Sequence, residues 1–244
     1  NDKINSGIML IQAPIIAILI CLIFDEISSG VLFMIAISAI WLGTQNAARE
    51  IVSEQAIYKR ERMFNLDIFP YLLSKITVLS FFAIVQSFLF IFILSIRYGN
   101  SIVSINNAVD AFIWMSFISV AATFLGLLLS ASVNTTEKAM TIVPLILIPQ
   151  IMLAGLIAKV SSGFVEFLSY FTLSRWGVEG FNDIQKTVIV SRPDLTGKMV
   201  DKPEDAIEML LTQFHDSYPK IFSLAGTLKL DIYIIIFMIV VMIF

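Results

Sequence analysis

Hydrolysis, group transfer and metal binding each need particular polar side chains at particular spacings, and this 244-residue sequence offers few of them. One histidine, His215, and one cysteine, Cys21, cannot assemble a metal-ligand set, so no metal site is expected. Cys21 lies within an apolar stretch and reads as a small buried hydrophobe. No nucleophile stands beside a base, and no carboxylates are paired for acid–base work. Asp110 and Asp231 fall near the ends of apolar runs, where a polar interface accounts for them. Gly197-Lys198 lacks the upstream glycine of a G-x-x-x-x-G-K-S/T phosphate loop. The chain is therefore expected to hold no catalytic residue and no cofactor of its own. A net charge of −3 without a Lys/Arg run points away from nucleic acid as a partner.

What remains is mechanical rather than covalent chemistry. In Asn46–Lys75, apolar Ala48, Ile51, Val52, Ala56 and Ile57 recur at three-to-four spacing. Arg49, Glu50, Glu54, Lys59, Arg60, Glu61 and Arg62 fill the other face. The pattern predicts an amphipathic helix over about 47–64 that continues the preceding apolar segment as a stiff rod. The plain alternative is a charged loop that only sets topology. Asn65-Leu66-Asp67 predicts a turn, and Pro70 suits the first turn of the next helix. Charge pairs on such a rod suit a docking surface, since they fix register more than they add affinity.

A rod of this kind needs a bundle to push against, and the composition supplies a membrane one. The chain is 58% hydrophobic and only 14% charged, with mean hydropathy +0.89. A soluble domain carries more charge to wet its surface. A helix needs about 20 apolar residues to cross a bilayer. Candidate spans are Ile8–Phe24, Val31–Ala48, Ile76–Ile96, Ala108–Ser132, Ala139–Ala158, and a sixth from Leu228 to the last residue. Phe164–Leu173 is too short to cross, so a re-entrant or interfacial segment is expected over about 160–172. The expected fold is thus all-α, with spans one to five in residues 1–172, an extracytoplasmic cap in 173–227, and the start of span six in 228–244. The cap is polar, contains Pro193, Pro203 and Pro219, and predicts one short helix at Ala206–Phe214. Lys and Arg crowd the loop between spans two and three, which places that loop and both ends of the chain in the cytoplasm. Asn134, three before Glu137, suggests a capping box at the start of span five. Thr44, Gln45 and Asn46 in span two, Gln86 in span three and Gln150 in span five are polar groups that should face a helix or a cavity rather than lipid. The first residue is Asn1 and the last apolar run stops at Phe244, so a fragment of a longer polypeptide is expected.

Three segments together resemble the permease domain of the G (White) subfamily of ABC exporters: Asn46–Lys75, TEKAMTIVPLILIPQIMLAGLI at Thr136–Ile157, and LSRWGVEGF at Leu173–Phe181. The resemblance implies an ATP-binding domain upstream in the same polypeptide, holding ATP and Mg, and a second permease paired as a homodimer. It implies that Glu54, Tyr58, Lys59, Arg60, Glu61 and Arg62 couple to the ATPase. It also implies a substrate cavity between spans two and five, at Ile35, Ala39, Leu42, Gln45, Ile148, Gln150 and Ile151, and a hydrophobic plug at Leu156 and Ile157. Ile35, Ala39 and Leu42 replace the aromatic and amide residues of the family's drug-binding member, so the cargo does not carry over. The outer region lacks the cysteines of eukaryotic members, which favours a bacterial multi-pass protein of the inner membrane.

The expected function is ATP-driven export of a lipid-like or amphipathic substrate by alternating access. Two rivals stand beside it. A channel or secondary transporter predicts charged or broken midplane helices. A membrane scaffold would bind a partner through its outer cap.

Overall fold

The computed structural model describes residues 2–24, 29–62, 68–98, 105–154, 163–191 and 228–243. Among these the chain is helical throughout, with no strand. The helices are α1 (Asp2–Ile23), α2 (Ser29–Ala47), α3 (Glu50–Arg62), α4 (Ile68–Tyr98), α5 (Ile105–Ser132), α6 (Thr136–Leu153), α7 (Gly163–Ser169), α8 (Leu173–Ser191) and α9 (Leu228–Ile243). Four stretches among the described residues are long and apolar enough to cross a membrane: Gly30–Gln55, Ile68–Tyr98, Ala108–Ser132 and Thr136–Leu153. Two shorter apolar helices, Gly7–Ile23 and Asp231–Met242, coincide with the first and sixth expected spans.

The centre of the molecule is the pair α2–α5. Gly43 stands against the Ser119 carbonyl, and Gly126 stands where an added Cβ would lie 2.6 Å from the Thr44 carbonyl and 2.7 Å from Ala47 Cβ. Glycine at both positions is what lets the two backbones touch, as small residues do between membrane helices. Thr44 Oγ1 donates across the contact to the Ala122 carbonyl at 3.4 Å. Ala36, Ala39, Ala121 and Ala122, all fully buried, extend the seam. Around this pair sit α1, α4, α6, α8 and α9.

Two amides inside the bundle bond across helices, where lipid would offer them nothing. Asn46 Nδ2 donates to Gln86 Oε1 at 2.7 Å, and Gln86 Nε2 donates to the Met9 carbonyl at 2.7 Å, joining α2, α4 and α1. Both amides therefore act as packing groups.

Two boundaries differ from the sequence expectation and one follows it. α4 starts at Ile68, ahead of the apolar span Ile76–Ile96, with Pro70 in its first turn as expected, where a missing N–H is no loss. Its 31 residues span roughly 47 Å at 1.5 Å each, more than the ~30 Å hydrocarbon core, so its foot projects beyond one face. The N-cap of α6 is Thr135 rather than Asn134: Thr135 is extended (φ −140°, ψ 145°) and its hydroxyl accepts from Lys138 N at 3.4 Å. The helix expected as an unbroken continuation of span two instead begins at Glu50, after a turn at Ala48–Arg49.

Residues 173–191, assigned from sequence to an outer cap, form α8, which packs on α2, α5, α6 and α9. Trp176, Phe181 and Leu173 are buried in the common core. The short helix expected at Ala206–Phe214 lies outside the described residues.

Candidate coupling helix and transport face

α3 is the most charged helix of the bundle; its first turn packs on α5 and α6, and its remaining surface has a side bound to α4 and an open side. One face is bound to the foot of α4. Lys75 Nζ lies 2.8 Å from Glu54 Oε1 and 3.1 Å from Glu50 Oε2. Tyr71 OH donates to Glu54 Oε2 at 3.3 Å, and the Tyr58 ring lies 4.9 Å from that of Tyr71. A single ammonium bridging two carboxylates one turn apart sets the rotation of α3 against α4, because Glu50 and Glu54 share a helix face. The other face is open: Arg60 is exposed, and Ile57 is 49% exposed although apolar.

Of the residues expected to meet a motor, Glu54 and Tyr58 therefore face inward to α4, and Arg60 faces out. Lys59, Glu61 and Arg62 lie on the helical backbone of α3, and their side chains are outside the described set. The partner that sequence reasoning missed is Lys75. It falls more than twenty residues from Glu54 in sequence, so no local pattern links the two.

The turn between α2 and α3 is closed from a distance. Ile51 N–H and Val52 N–H both donate to Ser130 Oγ of α5, at 3.0 Å each. In the sequence Ser130 carries no signal of this, being one small polar residue in an apolar span.

The residues expected around a cargo path are distributed over two environments. Ile35, Ala39 and Leu42 are buried in the protomer core at 2%, 0% and 1% exposure, so they pack the bundle. The side of α2 that stays uncovered runs Met34, Ile37, Trp41, Gln45, at helical spacing. On α6, Ala139, Val143, Leu147, Gln150 and Ala154 form the buried stripe. The rest of α6 stays open, with Leu145, Ile148 and Met152 exposed and Ile151 half-buried. Only 22% of the α6 span is buried, against 78% for the span containing α2. An apolar helix so little covered is either in lipid or against another protein.

Gln150 faces away from that open side. Its Oε1 accepts from Ser174 N at 3.0 Å, and its backbone carbonyl accepts from Ser174 Oγ. It thereby joins α6 to the start of α8. Leu156 and Ile157, the expected plug, lie outside the described residues.

At the far end of the bundle α7 leads through a turn at Tyr170–Phe171 into α8. The α7 side shows Phe164, Phe167, Leu168 and Phe171 outward, with Glu166 and Ser169 turned in. Inside, the Arg175 guanidinium lies over the Tyr170 and Trp176 rings at 4.8 and 5.1 Å and donates to Ser169 Oγ at 2.7 Å. Burial raises the Glu179 carboxyl of α8 to about 7, a shift that Asp183 adds to and Arg175 opposes. No group of three or more His, Cys, Asp or Glu able to hold a metal occurs among the described residues.

Comparison with known proteins gives this arrangement a family. Residues 1–186 match the model of the ABC-2 type transporter membrane domain. An ABC transporter ATP-binding/permease protein of Mycobacterium tuberculosis is 26% identical over 152 residues, which is 60% of this chain and 18% of the relative. The chain thus spans about 18% of the length of that curated relative. A bundle of apolar helices, a charged helix at its edge and a family match over most of the chain agree: the chain belongs to the ABC-2 type transporter family and is the membrane component of an ABC transporter.

Proposed function

We propose that this chain is the permease of an ATP-driven exporter, carrying a lipid-like or amphipathic substrate outward by alternating access. The observation that carries the reading is α3: a charged helix at the edge of the bundle, clamped to α4 through Lys75, with Ile57 and Arg60 left open for a partner. The partner is an ABC ATPase domain holding ATP and Mg. A domain fused to the permease is in keeping with the name of the mycobacterial relative, an ATP-binding/permease protein.

Closure of two ATPase domains tilts α3, and the Lys75 clamp hands the motion to α4. Cargo enters between two permease copies, against Met34, Trp41 and Gln45 of α2 and Leu145, Ile148 and Ile151 of α6. These surfaces are apolar with one amide, which favours a lipid tail or amphipath over a sugar or ion. Leu156 and Ile157 form the barrier to the outside. On this reading the chain crosses a bacterial inner membrane six times, with both its ends on the cytoplasmic side. ATP binding drives the cycle only by favouring one conformation over the other.

The complete transporter in proteoliposomes tests the reading. Glu54→Ala removes the closer of the two carboxylates on Lys75 and is expected to lower ATPase activity several-fold. Activity equal to the parent protein would remove α3 from the mechanism. Leakage of ions or solutes without ATP would instead favour a channel.

A further inference from the structure

The break between α2 and α3 has no local cause. Ala47-Ala48-Arg49-Glu50 is good helix-forming sequence, with neither glycine nor proline. The ladder of α2 nevertheless ends with Ala48 N–H on the Thr44 carbonyl at 2.9 Å and resumes with Ser53 N–H on the Arg49 carbonyl at 3.1 Å. The first N–H groups of a helix have no acceptor within it, and a Ser, Thr, Asp or Asn just ahead of the helix usually supplies one. Ala47, Ala48 and Arg49 have no acceptor atom in their side chains. The acceptor comes from α5: Ser130 Oγ takes both Ile51 N–H and Val52 N–H, across sequence separations of 79 and 78 residues. Ser130 is fully buried, and so are Ala47 and Ala48 beside it.

We propose that Ser130 is the pivot of the coupling helix: a positioning residue that holds the first turn of α3 on α5 while the rest of α3 tilts. This rests on reading α3 as the helix that answers to the ATPase. A hydroxyl oxygen has two lone pairs and accepts over a broad range of directions, so it keeps both donors satisfied as the helix axis turns. A carbonyl ladder continuous with α2 would lock the two axes together. The first turn of α3 is bonded to Ser130 where the helix packs on α5 and α6, and its flank is tied along a turn, to Lys75. Motion of α3 is then delivered to α5 at the pivot. Because α2 and α5 touch at Gly43 and Gly126, it reaches the α2–α5 slab as a unit rather than α2 alone.

The test uses the complete transporter with Cys21 and any cysteine outside this chain replaced by serine, and with spin labels at Gln55→Cys on α3 and Ser132→Cys on α5. With labelled copies diluted in unlabelled ones, so that one labelled copy dominates each transporter, the pair should give one narrow distance without nucleotide, and trapping with ATP and vanadate should shift it. Ser130→Ala should at least double the width of the distribution and abolish the shift, while Ser130→Thr, which keeps the hydroxyl, should restore both. A serine needed only for folding would lower the yield without changing width or shift in the folded fraction. If the parent protein shifts and Ser130→Ala shifts with the same width, the pivot is overturned while the coupling role of α3 stands. If the parent protein does not shift at all, the coupling reading falls and the pivot with it. Should Ser130→Ala fail to fold, hydrogen exchange on the unaltered protein decides. The amides of Ile51 and Val52 should exchange at least tenfold more slowly than an unstructured reference peptide in both nucleotide states, and loss of that protection on trapping would overturn the pivot.

Discussion

Gln150 is polar in an otherwise apolar helix, and what it contributes there depends on its partners. Its Oε1 satisfies Ser174 N, a backbone donor at the start of α8 that lipid could not satisfy. Replacing it with leucine keeps the volume but orphans that donor, which should cost roughly 1–3 kcal/mol. Thermal unfolding in detergent should show the loss. Glu179 is the second residue whose environment makes a prediction. Its folded pKa is raised from 4.5 to about 7, so the folded state binds the proton more tightly than the unfolded chain. Stability from this group is therefore complete below about 4.5 and is lost as pH rises through about 7. Melting should fall between pH 5.5 and pH 8, and Glu179→Gln should flatten that slope. An unchanged slope would show that Glu179 is solvated in solution.

Between elements, the contact that tolerates least change is α2 on α5. A side chain at Gly126 would start 2.6 Å from the Thr44 carbonyl, which is backbone and cannot rotate away. Gly126→Val should therefore separate the helices and cost about 1–3 kcal/mol or more, as overpacked cores do. Gly7, with nothing within 4 Å of an added Cβ, is the control: Gly7→Ala should be neutral or slightly stabilising. Parallel melting curves would separate the two, and equal loss at both sites would contradict the close contact. The same seam bears on α3. Its charged residues are legible in the sequence, but the amphipathic face expected from them is not what the helix presents: apolar and charged side chains are spread round it, and Ile57 is exposed while Val52 is buried. The turn at its start was not legible either, because its acceptor belongs to α5.

For the whole molecule the open side of α6 is the feature that asks for a partner. Leu145, Ile148 and Met152 are 66%, 52% and 57% exposed, which suits lipid or a second permease equally on area alone. Two copies facing each other here should place Ile148 near its counterpart. In a Cys21→Ser background, Ile148→Cys should give a dimer-sized band on mild oxidation in membranes, while Ala139→Cys, buried inside the protomer, should not. Absence of the band at Ile148, with Trp41→Cys and Met34→Cys equally silent, would leave this side to lipid.

By itself the sequence determined that the chain is helical, apolar and membrane-borne, and where most helices lie. Long charge-free runs and 3.6-residue periodicity are read one segment at a time, and Pro70 and the charge pattern of Asn46–Lys75 are of that kind. Its three family segments were also visible, since they are continuous stretches. Which face of each helix is covered was decided only in three dimensions. Ile35, Ala39 and Leu42 lie inside the bundle and Met34 and Trp41 outside, although all five are apolar, because hydrophobicity does not distinguish lipid from protein as a neighbour. The Lys75 clamp, the Gln150–Ser174 bond and the Ser130 acceptor belong to the same class. Each joins residues far apart in the chain, and a hydrogen bond or ion pair depends on distance in space, which no local pattern encodes.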